Sequence, residues 1–392
     1  MQTSAPARAD RVRVTGLGVI APIGDSPDDL WSALLAAKAE PVTGPAGPAY
    51  RHDGAPAAAR PASRFAVDAA FAAVADAGLS PTALVRAGVF LGTGLGDLPG
   101  FERAYRAGGI APAPSPFLAA PAVARAVGCG GPVHGIGTGC SAGVYAVGMA
   151  LDAIRSGEVD VAIAGGTEAV SAVAAASLRR LGLLDEVVCR PFDADRAGMV
   201  PGEGAAVLVL ESAAHAAARG HDAAYATVDG FGMSCDAHHV TAPEPTGDPI
   251  RAAVRAALRD AGRPRADVGA VVPHRAGVVA NDRAETAALA QELSGGTPAY
   301  GVKAVLGHTG GAAGAFGCLV AALMAYHGTV PPNAHVATPD PDCPLAVPLT
   351  PTPLATGTVL VTGTGFGGNN AAVVISRADA PARAARSFGA AS

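Results

Sequence analysis

Gly135-Ile-Gly-Thr-Gly-Cys-Ser-Ala-Gly143 runs without a break into Val144-Tyr-Ala-Val-Gly-Met-Ala-Leu-Asp-Ala-Ile-Arg155. The first half is a tight glycine-rich turn. The second is a helix pattern that stays apolar until Asp152 and Arg155, and a helix apolar all round is a buried one. Cys140 therefore stands where a turn enters the N-terminus of a central helix. Unpaired backbone N–H groups and the helix dipole favour an anion there. A thiol so placed is expected to have its thiolate, the nucleophilic form, stabilised. The glycines let backbone and substrate come close. An isolated cysteine in such a turn reads more simply as packing, so the rest of the chain has to decide.

Working outward, composition sets the bounds. Of 392 residues, 50% are hydrophobic, 16% charged and only 4% aromatic, so a large core can form from closely packed Ala and Gly. A net charge of −5 offers no basic footprint for nucleic acid. The cysteines (129, 140, 189, 235, 318 and 343) include no CxxC pair, so no zinc or thioredoxin-like motif is expected. Scattered cysteines suit a reducing cytoplasm. Met1–Asp10 lacks a following apolar segment of signal-peptide type. Val144–Ile154 and Gly314–Tyr326 are short, Gly/Ala-rich and read as core helices rather than membrane spans.

Strands and helices alternate on both sides of the central stretch. Strands are expected within Arg11–Pro22, running into a Gly/Pro turn, from Val89, at Val159–Ala164, Ala205–Leu210, Ala224–Gly230, Val268–Val272, from Val359 and at Ala371–Ile375. Helices are expected from Ser26, at Ala66–Ala77, 140–155, Ser212–Arg219, Pro249–Ala261, Asp282–Leu293 and Gly311–His327. Residues 40–62, rich in Pro, Ala and Gly, read as loop. This order argues for an α/β fold, and the apolar strands for sheets covered on both faces. A rough halving near residue 222 divides the chain into 11–222 and 223–377, with flexible tails at 1–10 and 378–392.

Three further segments join the cysteine. Pro273-His-Arg-Ala-Gly-Val-Val-Ala-Asn-Asp-Arg-Ala-Glu285 places His274 at a strand end. Lys303-Ala-Val-Leu-Gly-His-Thr-Gly-Gly-Ala-Ala-Gly-Ala315 sets His308 in a glycine turn before a buried helix, and Gly365-Phe-Gly-Gly-Asn-Asn370 is a glycine turn between strands. Each alone is weak. In this order, with Val14-Thr-Gly-Leu-Gly-Val19, Gly165-Gly-Thr-Glu168, Arg190-Pro-Phe-Asp193, Gly202-Glu-Gly204 and Asp236-Ala-His-His-Val-Thr-Ala-Pro243, they resemble the β-ketoacyl synthases of the thiolase superfamily. The resemblance covers residues 11–377 and is nearest to bacterial elongating synthases and type II polyketide ketosynthases.

That resemblance implies a five-layer αβαβα fold of two similar halves, a dimer, and substrates carried on the phosphopantetheine of an acyl carrier protein, with no other cofactor and no metal. It also implies roles. Cys140 would be acylated. His274 and His308 would hold the malonyl thioester and stabilise the enolate left by loss of CO₂. The N–H groups of Cys140 and Phe366 would form the oxyanion hole, with Phe366 as gate, and Gly367 and Gly368 would face the substrate. Lys303 would pair with Glu285 and orient the histidines. Acyl transfer needs a polarisable nucleophile and oxyanion donors on any account.

The departures are specific. Where the family has His-Gly-Thr-Gly-Thr, this chain reads His274-Arg275-Ala276-Gly277-Val278, without the hydroxyls that hold the pantetheine arm. Arg275 would either point to solvent at the pocket mouth or pair with a substrate carboxylate or phosphate. The stretch from Pro114 to Gly131 and residues 40–65 look shortened, and Asn369 stands where threonine is usual. Three functions follow: an elongating ketosynthase paired with itself or a chain-length-factor-like subunit; a ketosynthase-like acyltransferase, cyclase or hydrolase; or a non-catalytic partner subunit. Retention of Cys140, His274 and His308 argues against the last.

Overall fold

The computed structural model describes residues 11–44, 46–52, 59–111 and 113–379. The expected tails at 1–10 and 380–392 therefore lie outside the described residues.

Nine strands form one sheet: β1 (Val12–Ile20), β2 (Gly88–Gly92), β3 (Val133–Ile136), β4 (Val161–Glu168), β5 (Gly204–Ser212), β6 (Ala226–Cys235), β7 (Val268–Val272), β8 (Thr358–Gly365) and β9 (Asn369–Ser376). Across the sheet they run β3-β2-β4-β5-β1-β6-β9-β8-β7. The strands up to β5 follow one plan: β2 is parallel to β3 and β4, while β5 is antiparallel to β4 and β1. The plan then repeats. A parallel bridge from Val271 to Ala299 extends β7, β7 and β8 are parallel, and β9 is antiparallel to β8 and β6. Counted in chain order within each run, both read 3-2-4-5-1. Only three residue pairs, Val12–Val228, Arg13–Thr227 and Val14–Ala226, join the runs.

The helices build the layers. They are α1 (Pro27–Ala36), α2 (Pro61–Ala77), α3 (Ala119–Val127), α4 (Ala142–Arg155), α5 (Ala172–Arg180), α6 (Asp248–Asp260), α7 (Val279–Glu292) and α8 (Ala313–His327). Helices α2 and α3 cover one outer face, and α6, with α7 against it, covers the other. Between the two runs, α4 and α8 pack on each other and on strands of both. The five-layer αβαβα expectation is met. Residues 313–325 of α8 are all buried, as its unbroken apolar pattern requires. At 18 residues, Gly310–His327 is longer than the sequence reading allowed and apolar enough to cross a bilayer, but 83% of it is buried inside the protein.

Paired glycines set the outer spacing. A Cβ on Gly16 or Gly18 of β1 would lie 2.3 or 1.9 Å from a backbone oxygen of α2, and on Gly230 or Gly232 of β6, 2.4 or 2.2 Å from one of α6. The Thr-Gly-Leu-Gly motif is thus a packing device: helix backbone rests directly on strand backbone. Helix α1 has the expected start, with Ser26 accepting from the Asp29 N–H and Pro27 at its first position. The loop expected at 40–62 contains a short hairpin, Val42–Gly44 with Gly47–Ala49, and α2 begins already at Pro61. Strand β3 is four residues long and takes in Gly135 and Ile136 of the organising stretch, so the glycine-rich turn reading hid it.

Candidate active site

Cys140 lies in a single turn, Gly139–Ser141, just ahead of α4. His308 lies ahead of the corresponding helix of the second run, two residues before the turn Gly310–Ala312 that leads into α8. Gly139 (φ 63°) and Gly310 (φ 50°) take the left-handed conformation that lets each chain reverse into its helix. The two helix N-termini meet, and His308 Nε2 comes within 3.1 Å of Cys140 Sγ. The His274 ring stands edge-on to His308, with centroids 5.3 Å apart. Phe366 closes the group from the β8–β9 turn, where its backbone N lies 3.6 Å from where a Cβ added to Gly139 would stand.

Two cavities meet at these residues. A cleft of ≈ 180 Å³ is lined by Cys140, His274, His308, Ala276, Val278 and Phe366, with Thr241, Asn281 and Thr364 supplying polar side chains. A pocket of ≈ 400 Å³ opens on the other side of Cys140, His308 and Phe366. Of the glycines expected to face substrate, Gly368 borders a small recess beside the cleft, while Gly367 donates its N–H to the carbonyl of Val240 and lines neither cavity.

The electrostatics favour neutral imidazoles. Burial, with Lys303 nearby, lowers His308 to about 3, and burial, Lys303 and His308 hold His274 well below its usual range. Burial also pushes the Cys140 thiol up to about 11, opposed by Lys303 and reinforced by Glu168. This runs against the expectation of a stabilised thiolate: the surroundings favour a thiol beside a neutral imidazole. Helix position alone could not show that desolvation outweighs the helix N-terminus.

Two further expectations are corrected. No Lys303–Glu285 ion pair closes within 4 Å. Instead both grip the same peptide: Lys303 Nζ donates to the His274 carbonyl, while Glu285 accepts from the His274 and Arg275 N–H groups at 2.7 Å each and from Thr362 Oγ1 at 2.6 Å. Arg275 neither meets solvent nor faces the cleft. It is 2% exposed and turned inward, donating to Pro191 O (2.7 Å), Thr286 Oγ1 and Asp340 Oδ2 (2.6 Å), with its guanidinium 4.6 Å from the centre of the Phe192 ring. Arg196 joins the same acids, Asp282 at 3.2 Å and Asp340 at 2.7 Å. An arginine finds buried partners more easily here than a substrate, because two acids are already present.

Sequence reasoning missed what Glu168 does. This buried carboxylate ends β4 and accepts from the N–H groups of Gly94 (2.7 Å), Leu95 (3.0 Å), Gly96 (3.0 Å) and Gly311 (2.8 Å) and from Thr93 Oγ1 (3.3 Å). Burial raises it to about 7 against those bonds. A charge closing an otherwise apolar strand was the available signal. Among the described residues, no group of three or more His, Cys, Asp or Glu side chains is placed to hold a metal ion.

A thiol at a helix N-terminus, two imidazoles beside it and paired cavities in a layered α/β frame are the arrangement of a thiol-dependent acyl-transfer enzyme. Residues 51–216 match the Beta-ketoacyl synthase, N-terminal domain, and 225–337 the Beta-ketoacyl synthase, C-terminal domain; the chain belongs to the β-ketoacyl synthases. It is 34% identical to the tetracenomycin polyketide synthase ketoacyl synthase alpha subunit of Streptomyces glaucescens, over 94% of this chain and 97% of that protein. It is 33% identical to 3-oxoacyl-[acyl-carrier-protein] synthase 2 of Coxiella burnetii, over 94% and 98%. Among solved structures, the ishigamide ketosynthase/chain length factor superposes with a TM-score of 0.87 at 36% identity, over 94% of this chain and 99% of that one. A type II PKS acyl-carrier protein in complex with its ketosynthase bound to the hexaketide gives 0.86 at 30% identity, over the same shares.

Proposed function

We propose that this protein is an elongating ketosynthase of type II polyketide or fatty acid biosynthesis, acting on chains carried by an acyl carrier protein. The observation that carries the reading is the meeting of Cys140 Sγ, His308 and His274 at the junction of a partly polar cleft and a separate apolar pocket. One side receives the carrier arm and the other stores the chain.

In the first half-reaction the Cys140 sulfur attacks the acyl thioester carbon while its proton passes toward His308 Nε2. The carbonyl oxygen takes up negative charge against the N–H groups of Cys140 and Phe366. The carbon–sulfur bond to the arm then breaks, and the arm leaves as a thiol. In the second, a malonyl thioester lies in the cleft with its carbonyl oxygen toward the N–H groups of His274 and His308. The bond to the carboxylate breaks, CO₂ departs, and the electron pair forms an enolate that neutral imidazoles stabilise without protonating its carbon. That carbon attacks acyl-Cys140, and Cys140 leaves, giving a 3-ketoacyl chain on the carrier. Lys303 and Glu285 act as positioning residues that hold the His274 peptide. Ala276 and Val278 offer the arm no hydroxyl, so its amides turn to Thr241 and Asn281 on the same cleft.

The reading includes two halves, 11–222 and 223–377, and a second subunit, either another copy or a chain-length-factor-like chain. Strand β3 supports this: it is an edge strand with Val133 40% exposed. The test is intact mass spectrometry with acyl- and malonyl-carrier proteins. Cys140→Ala should abolish acylation. His274→Ala and His308→Ala should still acylate yet release no CO₂. Acylation persisting in Cys140→Ala would overturn the assignment.

A further inference from the structure

The pocket beyond Cys140 gives its occupant a chemistry. Its wall is built from Leu95, Leu98, Val170, Leu178, Leu181 and Met199, with small residues between them. Apart from Cys140 and His308, three polar side chains reach it: Glu168, Ser171 and Ser177. Each is already committed to partners within the protein. Glu168 is an acceptor with five donors already aimed at it. Ser171 Oγ donates to Glu102 and accepts from the Ala174 N–H, and Ser177 Oγ donates to the Val173 carbonyl at 2.9 Å.

Resting on the function proposed above, we infer that the chain stored on Cys140 is a hydrocarbon, saturated or polyene, and not a poly-β-ketone. A methylene buried on this wall strengthens binding by about fourfold. A ketone in the same place exchanges its water for a wall without a free side-chain donor, and each carbonyl left unpaired costs about tenfold. A poly-β-ketone carries a carbonyl at every second carbon, so the penalty accumulates along the pocket. The class of reaction that supplies this substrate is therefore reductive: the 3-keto group left by one condensation is removed before the chain returns to Cys140.

The experiment compares loading of Cys140, read by intact mass, from an octanoyl pantetheine thioester and from two isosteres in which one inner or one outer methylene is a ketone. The full chain is used, and iodoacetamide reports separately whether Cys140 is accessible. Each ketone isostere should load about tenfold more slowly than octanoyl. Loading of either isostere as fast as octanoyl would overturn this inference while leaving the ketosynthase reading intact. A protein whose Cys140 accepts iodoacetamide but none of the thioesters would overturn both.

Discussion

Cys140 shows how far environment can override position at the scale of a single residue. A helix N-terminus favours a thiolate, yet burial pushes this thiol up to about 11. In a Cys235→Ser background, which removes the exposed competitor, alkylation of Cys140 should climb about tenfold per pH unit from about pH 7 to 9 without a plateau. A plateau near neutrality would show an activated thiolate instead. Arg275 makes the complementary point. Replacing it by Met leaves Asp340 and Asp282 with Arg196 as their remaining ion partner, and should lower the unfolding free energy in urea by about 3–5 kcal/mol. Lysine should restore only part, since it lacks the fork that reaches Pro191, Thr286 and Asp340 together. The meeting of Cys140 with both histidines was legible because chemistry restricts their types and the glycine turns mark their places. The inward turn of Arg275 was not, because it depends on acids up to 65 residues away.

Among elements, the two central helices carry one design with two endings. The N-terminus of α8 is sealed by Glu168, whereas that of α4 presents Cys140 and stays open to substrate. Glu168→Ala strands its donors on the pocket wall, and should lower the melting temperature clearly and slow acyl loading; Glu168→Gln, which keeps one carbonyl acceptor, should do less of both. Calorimetry and mass-resolved loading measure the two effects. Long elements with clear period, such as α4, α8, β5 and β9, were legible, while β3 and α5 were not. The first is short and glycine-bearing. The second, Ala172–Arg180, buries little more than Ala175, so it has no apolar stripe to read.

For the whole molecule, β3 is where a second subunit would join. Val89 N donates to Pro132 O and Thr93 N to Ile136 O, so even-numbered residues of β3 bond inward and Val133 points its N–H outward. Val133→Pro removes that outward donor without touching the bonds to β2. Sedimentation should show the parent associated and the variant as single chains; an unchanged association would place the interface elsewhere.

The sheet order also governs how the protein comes into being. Strand β9 is synthesised after every other strand of the sheet, yet it lies in the interior, between β6 and β8. Until it emerges, β6 and β8 each present an open edge, and the N-terminal β1 has waited for β5, nearly two hundred residues downstream. Pairings so distant in sequence close slowly and leave strands unpaired meanwhile. The sheet is therefore completed late, when β9 enters between β6 and β8, and those two strands stay open to wrong pairings until it does.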